Sequence, residues 1–361
     1  MRIILDAMGG DNAPLSPLEG AARAVRELGV EVTLSGDENK IRALAKEHEI
    51  ALDGISFLHT EEVITMEDQP TEVVKSKKGC SMAVGLQALA DGEGDAFVSA
   101  GNSGALLVGA TMIPRRIKGI KRAAMAPLLP TSSGHAILMD GGANLECRPE
   151  MLEQFGIMGS IYMDKVMEIN NPRVALINNG AEECKGRELE QESYKLLEQS
   201  DVNFIGNIEA RDIPSGTADV LVTDGFTGNI VLKLYEGLGK FFGGKLKEMF
   251  SGAGKIGALF MMDKINDFKD SFDYKKVGGA VLLGISKPVI KAHGSSDGEA
   301  FFHAIRQAKN CVDGRICETI TDALAAQKEK EKVQRKEELA KAKAKAKATQ
   351  LKLIKEGNGK D

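Results

Sequence analysis

Six short turns in the sequence place Gly beside Asp, Asn, Ser or His, and five of them follow an apolar segment typical of a buried strand. The most distinctive turn is Ser99-Ala-Gly-Asn-Ser-Gly104, which lies between the apolar residues 96–98 and an apolar stretch at 105–112. A strand that passes through such a turn into a helix aims unpaired N–H groups, and the positive end of the helix dipole, at one point. That point suits an anion, most simply phosphate.

The other five turns repeat this pattern with different letters. They are Asp6-Ala-Met-Gly-Gly-Asp11, Asp140-Gly-Gly-Ala-Asn144, Asn178-Asn-Gly-Ala-Glu182, Asp224-Gly-Phe-Thr-Gly-Asn229 and His293-Gly-Ser-Ser-Asp-Gly298, the last after a weaker strand. Parallel strands bring such turns to one edge of a sheet, where α/β folds bind ligands. The sequence therefore predicts one pocket that gathers the turns.

The elements that must position these turns alternate along the chain. Short apolar strands are predicted at residues 3–5, 30–34 and 55–58, with helical patterns at 15–28 and 38–49 between them. Further strands are predicted at 136–139, 173–177, 202–205 and 220–223, and further helices at 81–90, 149–169 and 188–199. This alternation predicts an α/β fold with a mostly parallel sheet and helices on both faces.

Composition excludes several classes of protein. The chain has 361 residues and is 43% hydrophobic, but no apolar run reaches the ~18 residues of a membrane-spanning helix. Its start does not resemble a secretion signal, and five cysteines without a Cys-x-x-Cys pair argue against a disulfide framework or a structural zinc site. We therefore expect a cytoplasmic protein with reduced thiols.

The charge is distributed unevenly. The formal net charge of the whole chain is −5. Residues 326–361 hold 12 Lys and Arg against 6 Asp and Glu, a net charge of +6, so the other 325 residues carry a net charge of −11. An acidic body argues against nucleic-acid binding. No Gly-x-Gly-x-x-Gly follows the first strand, and Gly239–Leu246 lacks the Ser or Thr of a Walker A loop, so no nucleotide site is predicted.

Three segments are predicted from these patterns. Residues 1–325 form the α/β domain, from which an amphipathic helical segment at 228–274 protrudes. Within it, glycines such as Gly239, Gly243 and Gly244 are expected to loosen the chain after a helix that begins at Asn229. Residues 326–361 are a Lys-, Ala- and Glu-rich tail without an apolar stripe, expected to be a solvated helix or disordered.

Taken in order, the turns together with Arg148-Pro-Glu150, Ile157-Met-Gly159 and Lys185-Gly186 resemble the bacterial acyl-acyl-carrier-protein:phosphate acyltransferases. The resemblance runs from residue 1 to about residue 325 and leaves out the tail. It implies a fold like those of the isocitrate/isopropylmalate dehydrogenases and phosphotransacetylase. It also implies a homodimer with no metal or nucleotide cofactor.

The implied reaction is attack of inorganic phosphate on a thioester carbonyl, which releases the thiol of acyl carrier protein and leaves an acyl phosphate for phospholipid synthesis. Phosphate near neutral pH carries about −1.5 to −2 charges, by analogy with phosphoserine, and needs no strong general base. A thiol with a pKa of roughly 8.5 leaves readily as thiolate. The enzyme must therefore supply position, charge neutralisation and stabilisation of the oxyanion.

Three residues are the predicted catalytic groups: Lys185, His293 and Asn229. Lys185 follows a strand-end turn, from which its ammonium could reach phosphate or the oxyanion; otherwise it is a solvated surface lysine. His293 either donates a proton to the carbonyl oxygen or the leaving sulfur, or helps to cap the helix that starts near Ser296. Asn229 either donates to phosphate or the carbonyl, or caps a helix.

The predicted substrate-binding residues lie in the same turns. They are Asp6, Asp11, Gly101, Asn102, Ser103, Gly104, Asp140, Asn144, Glu182, Asp224, Thr227, Ser295 and Ser296. Helix capping is the alternative role for the Asn, Ser and Thr side chains. The aspartates would repel phosphate directly, so we expect them to orient Lys185, backbone amides or pantetheine amides, or to cap helices.

Two further segments suggest partners. The basic residues Arg115, Arg116, Lys118, Lys121 and Arg122 are either a docking patch for the acidic acyl carrier protein or a solvated connector. Apolar residues recur at three- and four-residue steps in 256–272, namely Ile256, Phe260, Met261, Ile265 and Phe268. They predict either contact with the membrane surface, where an acyltransferase that uses acyl phosphate resides, or a core or dimer-interface helix.

Two other functions stay open from the sequence. One is a phosphotransacetylase-like acyltransferase that uses acyl-CoA, and the other is a non-catalytic, membrane-associated scaffold for enzymes of lipid synthesis. We expect a cytoplasmic protein that either stays free in the cytoplasm or lies peripherally at the inner face of the membrane.

Overall fold

A computed structural model of the chain describes residues 1–249, 278–330 and 332. The chain divides into two compact units, Met1–Cys317 and Glu318–Asp361. Of the predicted tail, residues 326–330 and 332 are described and helical, and the rest lies outside the described residues. All elements and sites below belong to Met1–Cys317.

Twelve strands are assigned in the described residues of this unit. They are β1 (Arg2–Asp6), β2 (Glu31–Gly36), β3 (Ile55–His59), β4 (Ala96–Ser99), β5 (Ala124–Ala126), β6 (Leu128–Thr131), β7 (Gly134–Met139), β8 (Arg173–Asn178), β9 (Asn203–Glu209), β10 (Val220–Val222), β11 (Ala280–Leu283) and β12 (Val289–Lys291). The α-helices are α1 (Leu15–Leu28), α2 (Glu38–Glu47), α3 (Ser81–Ala90), α4 (Ser103–Ala110), α5 (Pro149–Lys165), α6 (Glu188–Gln199), α7 (Gly225–Met249) and α8 (Gly298–Asp313).

The strands form two sheets, whereas the sequence predicted one. Sheet I has the order β3-β2-β1-β4-β12-β11-β5, and sheet II has the order β6-β7-β10-β8-β9. The pairs around β1, β4, β8 and β10 are parallel, which confirms the mostly parallel arrangement, while β5, β6 and β11 pair antiparallel at the sheet margins. The chain passes from sheet I to sheet II at Pro127, between β5 and β6. The predicted turns are therefore divided between two sheet edges.

Sheet I is held by a core between its central strands and the helices α3 and α4. Ile4 and Phe97 on the strands pack with Met82, Leu86 and Leu106 on the helices, and all five are fully buried. Burying each such side chain stabilises the fold by about 1.5–3 kcal/mol. This core fixes the carboxyl ends of β1 and β4, where two of the turns begin.

Sheet II is covered on one face by α7. Val231 and the partly buried Leu232 and Tyr235 of this helix pack on Leu138 of β7 and Leu221 of β10. The opposite face of α7 is solvent-exposed. Because α7 starts directly after β10, the packing fixes the Asp224–Asn229 turn at the edge of sheet II.

Helix α7 corrects one prediction. The glycines at 239, 243 and 244 do not end the helix, which continues to Met249. Each interior glycine weakens a helix by roughly 1 kcal/mol, but the packed face on sheet II supports α7. Ion pairs at i,i+3 between Lys233 and Glu236 (2.9 Å) and between Lys245 and Glu248 (2.8 Å) add to it.

Residues 250–277, with the rest of the predicted amphipathic segment, lie outside the described residues. Across the described parts of the chain, no helix is both long enough and apolar enough to cross a membrane.

Candidate active site

The turn after β1 is anchored by the carboxylate of Asp6, which is almost fully buried. It accepts hydrogen bonds from the hydroxyls of Ser81 and Ser99, both at 2.7 Å, and from the amide of Met8 at 3.2 Å. Burial raises the pKa of Asp6, and the two serine hydroxyls oppose that rise. Asp6 thus joins the start of α3 to the ends of β1 and β4.

Glycines allow three turns of sheet I to meet backbone to backbone. A Cβ atom on Gly9 would lie 2.6 Å from the amide nitrogen of Gly101, too close for any side chain. Gly10 has the left-handed φ of +104°, and its Cβ would lie 3.1 Å from the carbonyl oxygen of Gly294. The amide of Asp11 donates to that carbonyl at 2.8 Å. The turns after β1, β4 and β12 therefore converge as predicted.

Asn102 caps α4 and holds a neighbouring loop. Its side-chain oxygen accepts from the amide of Ala105 at 3.1 Å, and its amide nitrogen donates to the carbonyl oxygens of Thr65 (3.1 Å) and Asp68 (3.3 Å). The hydrogen bonds of Asn102 therefore match helix capping, the alternative role given above for this side chain. Ser103, the next residue, starts α4 with its amide at the positive end of the helix dipole.

Lys291 and His293 lie at the end of β12, beside these turns. Lys291 is only 9% exposed, and its ammonium donates to the carbonyl oxygens of Ala100, at 3.2 Å, and Ala292. Burial lowers the pKa of Lys291 to about 8, although Asp6 and Asp11 act in the opposite direction. Such a cation is desolvated and held in place before any anion binds.

The ring of His293 is fixed by its own turn. Nδ1 accepts from the amide of Ser295 at 3.2 Å and lies 2.9 Å from the Ser295 hydroxyl. Burial lowers the pKa of His293, so the ring is neutral near pH 7. With Nδ1 accepting, the proton of the neutral ring lies on Nε2, which can donate to a substrate oxygen or sulfur.

Asp140 organises the edge of sheet II. Its carboxylate accepts from the amides of Met125 (2.9 Å), Gly142 (3.2 Å) and Ala143 (3.1 Å) and from the amide and side chain of Asn144 (2.7 and 2.9 Å). Burial raises the pKa of Asp140, and the N–H groups of Met125, Ala143 and Asn144 oppose the rise. The side chain of Asn144 also donates to the carbonyl oxygen of Ala123 at 2.8 Å. Asp140 and Asn144 thus tie the end of β7 to sheet I.

The start of α7 packs against this corner. Asp224 accepts from the amide of Thr227 at 2.7 Å and from the guanidinium of Arg187 at 2.7 Å. A Cβ atom on Gly228 would lie 1.8 Å from the carbonyl oxygen of Asp140, so only glycine fits there. Asn229 follows, with its side chain beside Gly142.

A cavity of about 770 Å³ lies where the turns of sheet I face α7. Six predicted site residues line it: Asp11, Ser103, Asn229, His293, Ser295 and Ser296. Its polar end also contains Lys291, and its apolar wall is built by β6 and α7, including Leu128, Leu129, Pro130, Leu232 and Tyr235. A concave site with an apolar wall and a few convergent polar groups is the form that small-molecule sites take.

The other predicted site residues do not line the cavity. Asp6, Asn102, Asp140, Asn144, Asp224 and Thr227 support its walls through the hydrogen bonds above, and Gly101 and Gly104 shape the turn after β4. Lys185 and Glu182 lie in the loop after β8, with the Lys185 ammonium 4.0 Å from the Glu182 carboxylate. Lys185 is exposed and is not among the lining residues.

The predicted docking patch is on the surface. Arg115, Lys118, Lys121 and Arg122 are exposed, and the half-buried Arg116 donates to the carbonyl oxygens of Ile120, at 3.4 Å, and Lys121. The predicted membrane contacts Ile256, Phe260, Met261, Ile265 and Phe268 lie outside the described residues. No group of three or more His, Cys, Asp or Glu suited to a metal ion occurs in the parts of the chain that the structure describes.

The sequence did not single out Lys291, Lys233, Lys240 or Tyr235, which all line the cavity. Lys291 lies in an apolar strand segment, Val289-Ile-Lys-Ala292, and a lysine amid buried strand residues was a signal that it serves a ligand. The α7 residues lie on the face that turns toward the cavity. Their role depended on the position of the helix, which no local pattern gives.

This arrangement can bind an anion and polarise a carbonyl. Lys291, the start of α4 and the hydroxyls of Ser295 and Ser296 supply positive charge and donors. His293 and Asn229 add neutral donors beside them. The adjoining apolar wall excludes water, which strengthens each of these interactions.

Known proteins resemble the whole of this unit. Residues 1–319 match the family model described as fatty acid synthesis protein. The phosphate acyltransferase of Alkaliphilus oremlandii is 47% identical over 328 residues, which cover 90% of this chain and 98% of that protein. The phosphate acyltransferase of Bacillus licheniformis is 45% identical over 328 residues, with the same coverage of 90% and 98%.

Solved structures share the fold. A phosphotransacetylase from Streptococcus pyogenes matches with a TM-score of 0.59 at 18% identity, covering 88% of this chain and 94% of that one. A phosphotransacetylase from Staphylococcus aureus matches with a TM-score of 0.57 at 18% identity, covering 86% and 94%. The predicted likeness to the phosphotransacetylase fold is confirmed.

Proposed function

The chain belongs to the phosphate acyltransferase family, and from this premise we propose that it moves a fatty acyl group from the thioester of acyl carrier protein to inorganic phosphate. Membership makes it an acyltransferase of lipid synthesis, whereas the carrier-bound donor is the proposed part. The observation that carries the proposal is the buried Lys291 at the polar end of a cavity whose wall is apolar. Inorganic phosphate requires a positively charged, polar environment, and a fatty acyl thioester requires an apolar one beside it.

In the proposed reaction, phosphate lies against the Lys291 ammonium and the amide of Ser103. A phosphate oxygen attacks the thioester carbonyl carbon and forms a C–O bond, and the C–S bond then breaks with its electron pair leaving on sulfur. His293 Nε2 and the Asn229 amide stabilise the carbonyl oxygen while it is negative. Removing one such donor slows catalysis by about 10²–10³-fold in other enzymes.

Lys185 stays part of the proposal as a catalytic residue from the sequence. Asn178 donates to its carbonyl oxygen at 3.1 Å, and Arg187, two residues on, bonds to Asp224 at the start of α7. Its loop therefore adjoins the sheet II corner. Lys291 is the cation that the geometry favours for phosphate itself. The finer likeness to isocitrate/isopropylmalate dehydrogenases also stays part of the proposal.

A homodimer and a peripheral position at the inner face of the membrane complete the proposal, with Ile256–Phe268 as contacts. Exposed apolar side chains on α7 support an interface with a second subunit or with a membrane on this helix. They are Phe226, Ile230, Leu234, Leu238 and Phe241. Monomeric surfaces rarely expose such continuous patches. Vesicle flotation of wild type and Leu234→Glu/Phe241→Glu tests membrane contact through α7. Sedimentation of the same two proteins tests dimerisation through α7. Unchanged flotation and mass would contradict both.

The test of function is phosphate-dependent thiol release by the purified protein, with acyl-carrier-protein and acyl-CoA donors compared. We expect higher kcat/KM with the carrier-bound donor. A preference for acyl-CoA would favour the phosphotransacetylase-like alternative. No thiol release from either donor would leave the non-catalytic scaffold as the better account.

A further inference from the structure

The hydroxyl of Tyr235 is buried and has no hydrogen-bond partner among the described residues. The ring packs on the core of sheet II, and the residue lines the cavity. A buried polar group without a partner destabilises a protein, and a ligand oxygen that accepts a hydrogen bond from it would remove that loss. Burial raises the pKa of Tyr235 to about 12, so the hydroxyl is a neutral donor at physiological pH.

Tyr235 lies on a path along α7 that begins at the reactive end of the cavity. The lining residues Asn229, Lys233, Glu236, Lys240 and Gly243 share one helix face at 3.6 residues per turn. Tyr235 lies about 120° around the helix from Asn229, on the side that packs on sheet II, and lines the cavity beside this face. From Asn229, the helix rises about 9 Å to Tyr235 and about 16 Å to Lys240. The path therefore presents a hydroxyl donor midway and an ammonium farther out.

The charges on this path are not equivalent. The ammonium of Lys233 is paired with Glu236 at 2.9 Å. Lys240 is exposed and makes no ion pair with another described residue. It is thus the cation on the α7 face that can receive an anionic group of a ligand.

A hydrocarbon chain would gain nothing from a hydroxyl donor and an ammonium. The thiol-bearing arm of an acyl carrier has two amides and ends in a phosphodiester, so its polar groups recur along an otherwise apolar chain. The apolar residues of β6, which line the cavity beside α7, suit the methylene groups of that arm. The spacing from Asn229 places Tyr235 beyond the amide nearest the sulfur and Lys240 beyond Tyr235.

We propose that Tyr235 and Lys240 form a subsite for the pantetheine arm of the acyl donor, with the Tyr235 hydroxyl on the amide farther from sulfur and Lys240 on the terminal phosphate. This inference rests on the proposed function and adds how the donor is recognised.

Three donors with the same acyl group test the subsite. Acyl-N-acetylcysteamine has only the amide nearest the sulfur, acyl-pantetheine has both amides, and acyl-phosphopantetheine adds the phosphate. Tyr235→Phe should lower kcat/KM about 5- to 10-fold for the two longer donors and leave acyl-N-acetylcysteamine unchanged. Lys240→Ala should lower it about tenfold for acyl-phosphopantetheine alone, and less at high salt.

Lys245→Ala is the matched control, because Lys245 is exposed on the same helix, does not line the cavity and is paired with Glu248. It should leave all three donors unchanged. Equal losses with every donor would mean that Tyr235 and Lys240 act on the fold, and unchanged kinetics would mean that they touch no donor; either result overturns the subsite. Failure of the wild type to use any donor would instead overturn the proposed function, and the subsite with it.

Discussion

The ammonium of Lys291 donates a hydrogen bond to the carbonyl oxygen of Ala100 over 3.2 Å, which ties the end of β12 to the turn after β4. The same turn supplies Ser103 and the start of α4 to the cavity. A buried cation and a helix N-terminus are therefore set side by side before substrate arrives. Electrostatic groups that need no rearrangement are those most effective in catalysis.

Phosphate affinity should weaken as pH rises above about 8, because the pKa of Lys291, lowered by burial, is about 8 and only its protonated form attracts the anion. We expect the KM for phosphate to rise up to tenfold per pH unit between about 8 and 10. Lys291→Arg, which keeps its charge in this range, should flatten the profile. A wild-type profile that stays flat to pH 10 would remove Lys291 from phosphate binding.

Stability should change in the opposite direction over the same range. The folded pKa of Lys291 is about 8 against an ordinary value of 10.5, so between these values the unfolded chain binds more protons. The contribution of Lys291 to the free energy of unfolding therefore rises with pH from about 8 to about 10.5. Urea titrations of wild type and Lys291→Met should differ in this pH dependence. A parallel loss of activity and stability in wild type would point to alkaline unfolding instead.

His293→Gln should retain more activity than His293→Ala. The glutamine amide can replace the Nε2 donor of a neutral imidazole, whereas alanine removes it and should lower kcat about 10²–10³-fold. Because burial lowers the pKa of His293, activity should not fall as pH rises from 6.5 to 7.5. Steady-state kinetics over pH 5.5–8 measure both effects. Equal activity of the Ala and Gln variants would assign His293 to capping.

Gly228→Ala should destabilise the protein strongly, because its Cβ would meet the carbonyl oxygen of Asp140 at 1.8 Å. We expect a loss of about 1–3 kcal/mol or more, with the start of α7 displaced from sheet II. Gly237→Ala is the matched control on the same helix, since nothing lies within 4 Å of its Cβ. That control should stabilise by up to about 1 kcal/mol. Urea unfolding measures both, and similar effects of the two variants would contradict this packing.

The docking patch can be tested without disturbing its loop. Lys118→Glu/Lys121→Glu changes two exposed side chains, whereas Arg116 holds the loop through its hydrogen bonds. The double variant should raise the KM for acyl carrier protein about tenfold at low salt and leave kinetics with acyl-N-acetylcysteamine unchanged. Lys46→Glu, at an exposed position on α2, is the charge control. Equal KM values for both variants at low salt would contradict carrier docking there.

Much of the fold could be predicted from local patterns. The apolar strands of β1, β4, β7, β8 and β10 and the helices between them are strongly marked in the sequence. The sequence predicted four of the five strands of sheet II but not their separation from sheet I, and it missed the short strands β5, β6 and β11. Pairing of short strands depends on distant partners, which a local pattern does not record.

The sequence predicted the turns that line the candidate site, but it did not predict the lysines that line it. His293, Asn229 and Ser103 follow strand ends and could be placed at a sheet edge. Lys291 lies inside a strand, so its contact with the cavity depends on how β12 pairs with β4. Lys185 resembled a strand-end group as closely as His293 did. Lys185 lies in the loop after β8, outside the lining of the cavity, and the local pattern does not distinguish that position from the position of His293.

The most direct test measures the incorporation of labelled inorganic phosphate into acyl phosphate when the protein is incubated with acylated acyl carrier protein. Wild type should form the product with saturable dependence on phosphate. Lys291→Met should lower kcat/KM for phosphate by about 10²–10³-fold while Lys185→Met lowers it less. Product formation by Lys291→Met at the wild-type rate and phosphate KM would contradict the claim that this buried lysine holds the attacking phosphate.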